Sequence, residues 1–136
     1  MNTVLAIAVS GMQAATRRLE VSARNIANAQ SSGALPTPEG KYPEGAPRAY
    51  TPWRVSQGEL RRGGTTVIES AVSPSDVQTY DPSASYADEH GLVAAPNVDP
   101  NTEAVEQVIA RYTFAANAQV VITYDRMMKA FFDIKA

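Results

Sequence analysis

Few side chains in this chain are of a type and spacing that could do covalent chemistry. The only histidine, His90, sits in the turn-like run Asp88-Glu89-His90-Gly91. An imidazole after two carboxylates could offer a metal one ligand, but a transition-metal site needs further nitrogen or sulfur donors, so His90 reads as an exposed structural residue. The chain has no cysteine, so there is no thiolate nucleophile, thiolate zinc site or disulfide framework. The acidic residues are scattered over helix faces and turns rather than paired as in a glycosidase. No glycine-rich phosphate loop, G-x-S-x-G elbow or H-E-x-x-H occurs. The residues therefore predict no catalytic group, no cofactor and no metal, and an enzyme has little to stand on.

Amides are the other polar groups to weigh. Asn25 and Asn28 lie near the end of an apolar-periodic stretch, and Asn117 lies within another. They are either ordinary capping and surface residues or buried amides that fix the register between two helices.

The elements that would position these groups divide the chain in three. All nine prolines fall between Pro36 and Pro100, and seven of the eight glycines between Gly33 and Gly91. Neither residue suits a helix interior. Residues 1–30 and 99–136 are therefore expected to be helices, and residues 31–98 an irregular middle with a small β region.

In the first stretch Leu5, Ala8, Met12, Ala15, Leu19, Ser22, Ile26 and Ala29 follow one another at steps of three and four. This is a heptad seam, but four of its eight positions are Ala or Ser, so the backbones must come close and each contact buries little. A helix of this length is marginal alone in water. Asn2 or Thr3 can cap it, and Ser31-Ser32-Gly33 can stop it. Gly11, inside it, costs about 1 kcal/mol relative to Ala; it is either tolerated or there to admit another backbone. Arg17, Arg18, Glu20 and Arg24 read as a solvated face, or as partners for a neighbouring subunit.

Residues 31–49 (SSGALPTPEGKYPEGAPRA) have too few apolar anchors to repay ordering and read as a mobile loop. Ala49–Ser56 is broken by Pro52, Thr65–Glu69 is β-branched after Gly63-Gly64, and Val77–Tyr80 is a third strand candidate. Together they predict one antiparallel sheet of two to four strands, with Trp53 as its apolar anchor.

Asp99-Pro100 is a helix start, with Asp as N-cap and Pro at the first helical position. Ala110, Phe114, Asn117, Val121, Tyr124, Met128 and Phe131 form a second seam. Val105, Ile109, Tyr112, Ala116, Val120, Thr123, Met127 and Ile134 form another stripe that is mostly apolar. One partner helix cannot cover both, and uncovered apolar surface on that scale marks a protein interface. The fold class is thus α+β: N- and C-terminal helices paired as a coiled coil, with a small antiparallel β region and loops between. Self-assembly follows.

At 136 residues, 44 % hydrophobic and with a formal net charge of −2, the chain is one small domain or a small domain with long arms. That charge, with no clustered Lys and Arg, argues against nucleic acid. The run Val4–Val9, with Ala6-Ile7-Ala8, suggests a signal peptide, but no Lys or Arg precedes it and it is too short. No stretch is long enough to span a bilayer.

Three stretches carry a resemblance. Ser10-Gly11-Met12 followed by Arg18–Ala29 (RLEVSARNIANA) resembles the N-terminal signature of bacterial flagellar axial proteins of the rod and hook class. Gly91–Asp99 (GLVAAPNVD), leading into an acidic helix start, resembles the approach to that family's C-terminal helix. Asn117-Ala118, Asp125 and Met127-Met128 resemble its later part, and Tyr80-Asp81-Pro82 its preceding turn. The pattern is most similar to the proximal-rod members. Two places differ: Tyr112 and Phe114 stand where the family usually has Arg and Tyr, with Arg111 displaced by one, and a Pro-rich insertion follows the first helix.

The resemblance implies a structural subunit exported unfolded by the flagellar type III export apparatus, without a cleaved signal peptide. Its terminal helices, disordered in the monomer, would fold in the inner layer of a hollow helical tube that crosses the periplasm and transmits torque. Its partners would be copies of itself, other flagellar rod proteins and the membrane-ring/rod junction proteins, with no direct membrane insertion. The residues expected at the assembly interface are Leu5, Met12, Leu19, Asn25, Ile26, Asn28, Ala110, Phe114, Asn117, Val121, Tyr124 and Met128. The alternative is a type III-secreted coiled-coil adaptor or effector outside the flagellar axis.

Overall fold

The structure is a computed structural model that describes residues 3–61 and 63–134. The capping role expected for Asn2 lies outside the described residues. Helix α1 covers Thr3–Asn28, and α2 covers Pro100–Asp133. Four strands lie between them: β1 (Trp53–Glu59), β2 (Thr65–Ala71), β3 (Asp76–Tyr80) and β4 (Leu92–Pro96).

The helices run antiparallel. The Ser22 hydroxyl donates to the Glu103 carbonyl at 2.9 Å, Arg18 pairs with Glu106 at 2.6 Å, and Gly11 lies against Asn117. The α1 surface divides into three stripes whose members recur at steps of three, four or seven residues. Ala8, Gly11, Ala15, Ser22 and Asn25 meet α2. Ile7, Ser10, Ala14, Arg17, Val21 and Arg24 face the β1–β2 hairpin, while Leu5, Met12, Leu19 and Ile26 border the open side. The expected seam is therefore rotated: its small members turn inward and its large ones flank the contact. Small residues allow the close approach, and Gly11 shows how close. A Cβ placed there would stand 2.5 Å from the Asn117 amide oxygen. Gly11 admits the facing helix, and its loss of helix propensity is the condition of that contact.

The β region differs from the single sheet expected. It is two separate antiparallel hairpins, β1–β2 with Trp53 opposite Ala71, and β3–β4 with Asp76 opposite Pro96. Strand β4 comes from the apolar run after Gly91, which lacks the polar alternation of a half-exposed strand. Val93 and Ala94 are buried, as expected of a strand covered on both faces. Strand β1 begins immediately after the buried Pro52, whose carbonyl accepts from Val72 and prolongs the ladder.

Trp53 is not the core anchor: its side chain is 36 % exposed. A lone two-stranded hairpin has no facing sheet to cover an indole, and the hairpin is fixed through Trp53's backbone instead. At its far end, Gly63 and Gly64 take positive φ of 80° and 100° in the turn beside Ile7 and Ser10. The Thr65 amide donates to Ser10 Oγ at 3.0 Å.

Residues 31–49 form neither helix nor strand, as their composition requires, but both ends of the segment are tied. Gly33 exchanges two backbone hydrogen bonds with Ala94, Ala34 is buried and donates to the Pro47 carbonyl, and Ser32 meets the Tyr86 hydroxyl at 2.7 Å.

Candidate assembly interface

Asn25 is a buried amide at the centre of four hydrogen bonds. It is 1 % exposed, and its amide uses its whole hydrogen-bonding capacity. Nδ2 donates to the Trp53 carbonyl and to Glu103 Oε1, both at 2.7 Å. Oδ1 accepts from the Tyr50 hydroxyl at 3.0 Å and from the Trp53 amide at 3.1 Å. One side chain thus joins α1, α2 and the start of β1. Burial pushes the Tyr50 phenol above its usual value, with Arg24 opposing the shift and Glu103 adding to it. Asn25 is a register-fixing amide, but it acts inside the subunit.

The charged residues of α1 are not a simple solvated face. Arg17 and Arg24 both reach Glu69 of β2, and Arg18 pairs with Glu106. Hydrogen bonds donated to the Glu20 and Glu69 carboxylates raise the Arg17 guanidinium above its usual pKa. These pairs brace the hairpin along α1. Asp99 caps α2, accepting from the Asn101 amide at 3.1 Å and the Thr102 amide at 3.2 Å. Its carboxyl is held below the usual range, first by the Thr102 hydroxyl and then by the Asn101 amide. The Asp88 carboxylate accepts from the Leu92 and His90 amides at 2.8 Å each, which lower its pKa, so the run Asp88-Glu89-His90-Gly91 closes a turn into β4.

The twelve expected interface residues fall into three groups. Asn25 and Ala110 are buried inside the subunit and hold the helix pair. Leu5, Met12, Asn28, Asn117, Val121, Tyr124 and Met128 are half-buried along or beside the seam. Asn117 returns its amide to the Thr113 carbonyl, and Asn28 to the Arg24 carbonyl, both at 2.8 Å. Leu19, Ile26 and Phe114 are 37 %, 39 % and 45 % exposed. They lie among a wider set of exposed apolar side chains, including Val105, Val108, Ile109, Tyr112, Val120 and Ile122. The spacing rule pointed to these positions; it could not tell which stripe would turn outward, because that is decided by where the hairpin docks.

Carried on at the observed register, Thr3 falls near Tyr124. The end of α2, from Arg126 to Asp133, therefore lies roughly 12 Å beyond Thr3, the first described residue of α1. The projecting turns carry Met127 and Phe132, both strongly exposed.

Helices at the two ends that share a thin seam and leave their large apolar residues outward, around a small β middle, define a structural subunit finished by its neighbours. No helix among the described residues is long and apolar enough to cross a membrane.

No protein-family model matches the chain. It is 35 % identical over 124 residues to the flagellar basal-body rod protein FlgC of Salmonella typhimurium, covering 90 % of this chain and 88 % of that one. It is 33 % identical over 123 residues to the FlgC of Yersinia enterocolitica, with the same coverage. To the FlgC of Agrobacterium fabrum it is 32 % identical over 116 residues, covering 85 % and 81 %. The chain belongs to the FlgC family of flagellar basal-body rod proteins.

Proposed function

We propose that this protein is a structural subunit of the proximal part of the flagellar rod. It assembles through its terminal helices with copies of itself and with other rod proteins. The observation that carries this reading is 33 % and 35 % identity to rod proteins in alignments covering 90 % of the chain, coupled to a helix pair with large apolar residues exposed. Apolar surface of this kind is covered by neighbours in a stable assembly. A head-to-tail contact that does not close into a ring builds a helical tube.

In this reading the subunit lies in the periplasm-spanning rod, beside the membrane-ring/rod junction, and reaches it through the flagellar type III export apparatus without a cleaved signal peptide. The tube transmits torque, for which the brace of Asn25, Arg17, Arg24 and Glu69 suits the subunit, since the β1–β2 hairpin must move with the helices. No observation favours a secreted adaptor or effector outside the axis. Mass spectrometry of purified basal bodies is the test: the reading expects this chain with its N-terminus uncut, and its absence from basal bodies of motile cells would overturn it.

A further inference from the structure

The open side of the helix pair carries a groove of about 580 Å³ lined by Ala15, Thr16, Leu19, Val108, Arg111 and Phe114, among others. A second hollow of about 380 Å³ continues it on the far side of Phe114 and Thr16, toward Met12 and Val9. Phe114 is thus a ridge between two apolar hollows. The groove spans the α2 residues from Val108 to Ala115, roughly 10 Å of helix.

One segment of the same chain matches it in length, polarity and charge. The end of α2 lies about 12 Å beyond the first described residue of α1 and presents Met127, Phe132 and Ile134 to solvent, the last at 85 %. The groove holds Arg111 and the projecting end holds Asp133, and neither is in an ion pair among the described residues. The projecting end cannot reach its own groove, because a straight α2 separates Arg111 from Asp133 by roughly 33 Å.

Resting on the rod-subunit reading, we propose that the projecting end of α2 of one copy seats in the groove between α1 and α2 of a second copy. Met127 and Ile134, seven residues apart on one face of the helix, fill the hollows on either side of Phe114, and Asp133 meets Arg111. The contact joins two different surfaces of the same chain, so it propagates instead of closing a pair.

The test places a photo-crosslinking amino acid at Thr16 in the groove, with a second variant carrying it at the exposed Gln13, in cells whose basal bodies are then purified. The expected product is a covalent dimer of this chain, with the adduct mapping to residues 127–134. Arg111→Glu should lower its yield several-fold, and Arg111→Glu with Asp133→Arg should restore it. An adduct with a different rod protein, or none from either position while the chain is present in the rods, overturns the docking and leaves the rod reading standing. Absence of the unsubstituted chain from basal bodies overturns both.

Discussion

Replacing Asn25 by Ala removes an amide that satisfies four groups on three elements, and the cost can be worked from its partners. The Glu103 carboxylate and the Tyr50 hydroxyl are half-buried and can turn to water. The Trp53 N–H and C=O are fixed by the strand and cannot. Each buried backbone group left without a partner costs about 1–3 kcal/mol. A water entering the polar gap recovers part of that, which leaves a loss of about 2–4 kcal/mol. Asn28→Ala is the control. Its amide only returns to the Arg24 carbonyl of its own helix, so its loss should stay within about 0.5 kcal/mol.

Trp53 is the only tryptophan, and its backbone is the group released, so its emission reports the joint directly. With a urea slope of about 1–3 kcal/mol per molar, Asn25→Ala should lower the unfolding midpoint by roughly 0.7–4 M, and Asn28→Ala by little. The same variants are compared in isolated basal bodies, by the urea concentration that releases the chain. The result then does not depend on the helices being paired in the free subunit. Equal midpoints for the two variants in both assays would refute the assignment of Asn25 as the joint.

Gly11→Ala gains about 1 kcal/mol of helix propensity but puts a Cβ onto the Asn117 amide, which must turn aside and give up its bond to the Thr113 carbonyl, a loss of about 1 kcal/mol. Adding Asn117→Ala should rescue it, giving a coupling of about 1 kcal/mol or more in a double-mutant cycle; strictly additive effects would rule out the close approach. Leu19→Asp or Val121→Asp should block rod assembly while export of the chain continues, scored by basal-body content and secreted protein. Intact rods and normal motility in the Leu19 variant count against the outward stripe, and in the Val121 variant against the helix seam. The Asp99 carboxyl has a lowered folded pKa, so its contribution is present above the unfolded aspartate value of about 3.9 and is lost as pH falls through the lower folded value. Asp99→Asn keeps a good cap without the charge, so helicity followed by circular dichroism from pH 6 to pH 2 should fall less steeply than in the unsubstituted chain. Identical pH profiles would remove Asp99 from the account.

Much of this architecture was legible in the sequence because single residues enforce it. The Pro and Gly distribution confined the helices to the two ends, and Asp99-Pro100 marked the start of α2 to the residue. The three strand candidates lie where β1, β2 and β3 begin or run, since Gly63-Gly64 and Pro52 punctuate them. What escaped the pattern depended on contacts between distant residues. Nothing local shows that Leu5, Met12, Leu19 and Ile26 border the open side while Ala8, Ala15 and Ser22 face α2, because both sets share one heptad. The hairpin resolves that ambiguity by occupying the neighbouring stripe through Ser10, Arg17 and Arg24. Strand β4 was hidden because a doubly covered strand has no alternation to read. Trp53 misled because size suggests burial, whereas the hairpin needed only its backbone.

Electron microscopy of basal bodies from the parent bacterium, with and without the coding sequence for this chain, confronts the account most directly. Loss of the chain should leave membrane-embedded rings that carry neither rod nor hook, with both restored when it is supplied again. Complete rods in its absence would contradict the account.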